Sequence, residues 1–251
     1  MEEFTKLVKL METLRGDEGC AWDRKQTVQS FKTFLLEEVY EAIEAIENED
    51  HKALQEELGD LMFHIVFIAQ ICKERNLFDI KDVVTGVHEK MFNRHPHVFR
   101  KEGVHDGPIE KRWEEIKREE KEGYSPLTDV PVSMPALLRA YTVTRRAAKA
   151  GFDWKHIEDV YDKLSEELDE LKTAQKAQDS KAMREEIGDV LFTVVNISRF
   201  LGLDPEDALR YTIDKFIRRF SYIEEQTDLK GASLETMDRL WNEIKYIERG
   251  D

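Results

Sequence analysis

The chain has 251 residues, with 38 Lys and Arg against 53 Asp and Glu, and so a formal charge of −15. Such a surface repels the phosphate backbone of nucleic acid and offers no polybasic stripe to an anionic membrane, so neither is expected as a partner, and any phosphate must be captured locally through a divalent cation. Hydrophobic residues at 41% suffice for a core, while 36% charged residues with only 12 Gly and 6 Pro favour long solvated helices, an all-α fold, over a sheet-rich or disordered chain.

The first segment, MEEFTKLVKLMETLRG, carries acids where an export signal carries bases, and its pattern is amphipathic rather than continuously apolar. The longest apolar run, Leu61 to Ala69, is interrupted by His64 and is far too short to span a bilayer. Cys20, in an expected loop, and Cys72, at the end of an apolar helix, form neither a disulfide framework nor a CxxC motif, which fits a reduced, cytoplasmic compartment. After a loop bearing Trp22 comes a first acidic helix, in which Phe31, Leu35, Glu38, Ala42 and Ile46 form one stripe with Glu38 inside it. Glu38 and Glu41 share a face of that helix, and Glu57 and Asp60 share a face of the next. A basic element follows, with Lys90 and Arg94 four apart, and then a closing helix with Trp113 and Lys117. Two tempting motifs between them are set aside. His95 and His97 straddle a proline without companion ligands at zinc spacing, and His105–Asp106 sits in a glycine- and proline-bearing turn.

The segment EGYSPLTDVPVSMPAL, about 123–135, holds Pro126, Pro131 and Pro135, and reads as a semi-extended linker. Beyond it the arrangement repeats. Glu167, Glu170, Glu186 and Asp189 stand 129 residues after Glu38, Glu41, Glu57 and Asp60; Lys215 and Arg219 follow Lys90 and Arg94, and Trp241 and Lys245 follow Trp113 and Lys117, with small slips in offset. Two domains are therefore expected, 1–125 and 126–251, each a bundle of about four to five helices. Asp204 before Pro205 is a cap and first-turn signal for a helix running to about Gln226.

In the second copy Glu186, Asp189, Thr193 and Asn196 step by 3, 4 and 3, one polar stripe on an otherwise apolar helix that must be buried. Acid pairs on adjacent helices repel by roughly 4 kcal/mol per pair at 4 Å and an effective dielectric of 20, which a hard divalent cation offsets. All-carboxylate ligation points to Mg²⁺, with Mn²⁺ as a substitute, rather than zinc. Lys215 and Arg219 suit phosphate oxygens, Asn196 suits a nucleotide hydrogen bond, and Trp241 with Lys245, four apart, can close the site with the indole against a base. No P-loop is present, and a ferritin-like di-iron site would need ExxH where this chain has ExxD. These residues alone leave open a helical scaffold or regulatory binder with a structural cation, and a phosphohydrolase of the inorganic pyrophosphatase type.

The motifs EExxE, then ExxD, with downstream KxxxR and WxxxK, together with GCAWDRKQT, LLEEVYEAIEAI, RHPHVF, SMPALLRA and KAGFDW, resemble the MazG family of nucleoside triphosphate pyrophosphohydrolases in its two-domain form. The resemblance implies two tandem MazG-like bundles, Mg²⁺-dependent hydrolysis of NTPs and dNTPs to the monophosphate and pyrophosphate, and a homodimer. It places metal ligands on Glu167, Glu170, Glu186 and Asp189, and on Glu38, Glu41, Glu57 and Asp60. Its nucleotide contacts fall on Lys163 to Glu167, including Glu166, on Arg184, on Lys215 through Arg219, including Arg218, and on Trp241. A second candidate site in the first half takes Glu37, Lys90, Arg94, Trp113 and Lys117. The C-terminal half is expected to be the main site, because Asn196 is matched in the first half by Phe67.

Overall fold

A computed structural model describes residues 2–99, 125, 127 and 129–249. The chain divides into two compact units, Met1–Ile116 and Lys117–Asp251, and among the described residues both are built of helices without strands. Trp113, Lys117, His105, Asp106 and Pro126 lie outside the described residues, as does much of the expected linker; its described part, from residue 129 to Pro135, is non-helical.

In the first unit α1 (Glu2–Arg15), a short α2 (Ala21–Lys25), α3 (Phe31–Glu47), α4 (His51–Glu74), α5 (Ile80–Arg94) and α6 (Pro96–Phe99) follow in order. Trp22, expected in a loop, lies in the short α2 instead. The long hairpin of α3 and α4 carries the unit, with α1 packed on α4. Met11, Phe31, Val66, Phe67 and Ile71 make its core. Phe31 stacks on Phe67 at 4.0 Å between centroids and meets His64 edge-on at 5.2 Å. His64 and Phe67, one and two turns beyond Asp60, therefore belong to the core rather than to the acidic site. Cys72 is buried and Cys20 exposed, both as free thiols.

The second unit comprises α7 (Ala136–Lys149), α8 (Ile157–Ala177), α9 (Ser180–Phe200), α10 (Pro205–Gln226) and α11 (Leu234–Arg249). The hairpin of α8 and α9 matches that of α3 and α4, α7 packs on α9, and α10 packs mainly on α11 and α7. The hairpin turns are copies in detail. Glu49 and Gln178, 129 apart, both adopt the left-handed conformation, at φ 53° and 55°. The following Asp50 and Asp179 cap the second helix, each accepting from two backbone N–H groups at 3.0–3.1 Å. Asp204 caps α10 in the same way, with Pro205 at its first turn.

Each unit also ties its Trp-bearing segment to the far end of its second acidic helix by an arginine fork. In the first, Arg15 of α1 donates two bonds of 2.7 Å to Glu74 and another to the Asp23 carbonyl. In the second, Arg199 of α9 donates bidentately to Asp153, one bond at 2.9 Å, and to Asn196 at 3.3 Å. The glycines of these loops answer to different constraints. A Cβ on Gly19 would lie 2.2 Å from the Leu14 carbonyl oxygen, whereas Gly151 has φ +94° in open space.

The polar stripe of α9 is interior at its far end, with Thr193 4% and Asn196 1% exposed, while Asp189 at its near end is exposed. Its apolar side is not interior. Ile187, Leu191 and Val194 stand about half exposed, as do Leu58, Met62 and Ile65 at the matched positions of α4. Burial of α9 on all sides, expected from its composition, is thus limited to the polar face, because α7 and α8 pack there and leave the opposite face bare.

Candidate active site

Helical periodicity sets the acids of each half on one side of each helix, and the antiparallel hairpin brings the two helices' acids together. In the second unit one oxygen each from Glu167, Glu186 and Asp189 lie within 4.8 Å of one another. Glu167 is buried, 5% exposed, while Asp189 reaches solvent. Glu170 lies one turn further along α8, outside that triplet, yet it is the leading charge acting on Glu186. Glu186 is pushed above the ordinary 4.5, first by loss of solvent and then by Glu170, Glu167 and Asp189. In the first unit the converging triplet is Glu38, Glu41 and Glu57, with Asp60 acting on it electrostatically.

Lys163 distinguishes the two clusters. Its ammonium lies 2.8 Å from both Glu166 and Glu167, one turn along α8, and these contacts push its own pKa up. The position 129 residues earlier is Phe34, which offers no charge. There Glu38 and Glu57 are both pushed above the ordinary carboxylate value, with loss of solvent the largest cause in each case. Like charges held together without a cation raise one another's pKa. Both triplets have the chemistry of a hard-cation site, all-oxygen and strongly anionic.

The basic residues gather elsewhere in the second unit. Arg218 and Arg219 donate to the two oxygens of Glu248 on α11, at 2.8 and 2.7 Å, and hold that carboxyl below its ordinary value. Arg219 also stands over the Trp241 ring at 5.5 Å, and Phe216 packs on the same indole at 5.3 Å. Lys215 lies over Tyr211. Arg184 is exposed on α9, and Lys245 is half-buried on α11. Among the described residues no ion pair joins Lys215 or Arg219 to the four acids. Asn196, expected to face a nucleotide, is enclosed. Its amide donates to the Phe192 carbonyl and accepts from Arg199, a structural duty that fixes the second arginine fork. In the first unit Glu37 and Lys90 are exposed and Arg94 is half-buried. Glu248 escapes sequence reasoning, since a lone acid near the end of an amphipathic helix resembles any solvated face.

Two segments, 26–99 and 156–223, match the model of the MazG nucleotide pyrophosphohydrolase domain, each enclosing an acidic hairpin and most or all of the basic helix that follows it. The chain belongs to the MazG family. It is 45% identical over 249 residues to the nucleoside triphosphate pyrophosphohydrolase/pyrophosphatase MazG of Thermotoga maritima, covering 96% of this chain and 95% of that one. Identity to the nucleoside triphosphate pyrophosphohydrolase of Escherichia coli K12 is 40% over 260 residues, 99% of both chains. An uncharacterized protein of Bacillus subtilis, YabN, is 44% identical over 256 residues, which are 98% of this chain and 52% of that longer one. The MazG domain thus occurs twice here, as two tandem all-α units.

Proposed function

We propose that the protein hydrolyses nucleoside and deoxynucleoside triphosphates to the monophosphate and pyrophosphate, chiefly in the second unit, with Mg²⁺, or Mn²⁺ in its place, held by Glu167, Glu170, Glu186 and Asp189. The observation that carries this reading is the convergence of Glu167, Glu186 and Asp189 within 4.8 Å in a chain of this family. The cation would supply Lewis-acid stabilisation of the triphosphate and lower the pKa of the attacking water. Burial fixes Glu167 in place, and Lys163 balances it until the cation arrives. Arg219 and Arg218, oriented by Glu248, exchange that carboxylate for phosphoryl oxygens, with Lys215 adding a point charge. Glu166 already accepts from Lys163, which makes it a holder of that lysine rather than a free base.

The first unit, lacking the lysine, is the weaker site in this reading. The bare apolar stripes on α4 and α9 favour a homodimer, since contiguous exposed hydrophobic surface on a helix calls for a partner and a two-fold contact satisfies both copies at once. No described helix is long and apolar enough to cross a membrane, and the two free thiols accord with the reduced cytoplasm.

The test is product analysis. The full-length protein, incubated with Mg²⁺ and a panel of NTPs and dNTPs, should release monophosphate and pyrophosphate in equal amounts; orthophosphate as the first product would overturn the reading. Glu186→Gln and Asp189→Asn should each lower kcat by about a hundredfold or more while leaving the helical circular dichroism unchanged.

A further inference from the structure

A single carboxylate engages both arginines of the basic helix in the second unit. Glu248 accepts on Oε1 from Arg218 Nε at 2.8 Å, and on Oε2 from Nε and Nη2 of Arg219, each at 2.7 Å. A carboxylate between two guanidiniums takes the seat of a phosphoryl group, since both present anionic oxygens to the same N–H fork. We infer that Glu248 is a built-in competitor for pyrophosphate: it cedes Arg218 and Arg219 to the leaving group, then returns to them and displaces pyrophosphate from the site. The inference rests on the reaction proposed above and concerns how that same site clears its product.

The charges allow the exchange to run both ways. Two guanidiniums against one carboxylate leave one positive charge uncompensated, so a polyanion held beside them wins the pair. The carboxylate, tethered in the same chain, keeps a high effective concentration, and so recovers the pair once free pyrophosphate is dilute. The contact is also within reach of solvent, with the Arg219 and Glu248 side chains 16% and 19% exposed.

The arginine side stays put while the carboxylate side can leave. Arg219 stands over the Trp241 ring, which Phe216 also packs against, so the guanidinium keeps its place without Glu248. Glu248 lies in the last turn of α11, a helix that packs chiefly on α10. Upstream, Trp241 and the bond of 2.9 Å from the Tyr222 hydroxyl to Glu243 anchor that helix. Beside Glu248, Tyr246 and Ile247 are more than half exposed, so the final turn can open with the rest of α11 still docked. The first unit has Asn93 where the second has Arg218, 125 residues later, and with one guanidinium fewer it cannot repeat the arrangement.

The test measures inorganic pyrophosphate binding to the full-length protein by calorimetry in Mg²⁺. Glu248→Gln, a neutral side chain of the same shape, should bind pyrophosphate about tenfold more tightly than wild type, because the competent arginine pair is no longer self-occupied. In turnover, kcat and KM for NTPs should fall together while inhibition by added pyrophosphate strengthens by about the same factor, the pattern of slowed product release. Glu248→Asp, which restores the charge, should return affinity toward that of wild type. A carboxylate that merely orients the arginines predicts the reverse, and pyrophosphate bound equally or more weakly by folded Glu248→Gln would overturn the inference. If that variant does not fold, the wild type decides: saturating pyrophosphate should speed amide hydrogen exchange in the last turn of α11, and unchanged or slower exchange there would overturn it. Calorimetry and exchange need no turnover, so failure of the competitor is told apart from failure of the proposed reaction, which product analysis reads.

Discussion

Lys163 and Phe34 occupy the same place in the two halves, and their difference decides how each acid cluster lives without a metal. Where the ammonium is present, the buried Glu167 is paired with it; where it is absent, Glu38 and Glu57 are both pushed above the ordinary carboxylate value, first by loss of solvent. Replacing Lys163 with Met should lower the melting temperature in EDTA by leaving Glu167 buried and unpaired, and Mg²⁺ should restore most of the loss. Glu186 gives a sharper test, because its folded-state pKa lies above the ordinary 4.5. A raised carboxyl contributes stability that is present below the unfolded value and is lost as pH climbs through the folded one. In EDTA, Glu186→Gln should therefore melt like wild type near about pH 4 and at a higher temperature near about pH 7, with Mg²⁺ reversing the order. Glu248 runs the other way. Its pKa is depressed by Arg218 and Arg219, so its stabilisation is present above 4.5 and fades on acidification, and Glu248→Gln should be destabilising at neutral pH only.

At the scale of elements, the hairpins owe their register to the residues at their turns. Asp50→Ala removes a side-chain acceptor from two backbone N–H groups and should cost about 1 kcal/mol, readable by chemical denaturation. The helices themselves were legible from the sequence: acid spacing, the apolar stripe through Phe31 and Glu38, and the Asp204–Pro205 signal all depend on periodicity and capping, which are local. The duplication was legible for the same reason, since a constant offset of 129 needs no folding to be seen. What could not be read was which face of α9 is covered. Thr193 and Asn196 turn inward while Ile187 and Leu191 remain bare, because that choice depends on where α7 and α8 dock, a long-range matter. Asn196 looked like a ligand on chemistry alone; only packing reveals that Phe192 and Arg199 engage it.

For the whole molecule, the bare stripes of α4 and α9 predict self-association. Leu191→Asp should shift the protein toward the monomer in sedimentation velocity and lower its thermal stability in a concentration-dependent way, whereas a wild type that is monomeric at micromolar concentration would remove the argument for a dimer. The arginine forks carry a different lesson. In one half the guanidinium comes from the opening helix and its carboxylate from the second acidic helix; in the other the guanidinium stands on that acidic helix and the carboxylate on the loop. Donor and acceptor have traded sides, and in each half a strut still joins the second acidic helix to the opening helix or the loop just after it. What the duplicated architecture retains there is a mechanical connection rather than particular amino acids, so exchanging Arg199 and Asp153 for each other should be tolerated far better than losing either one.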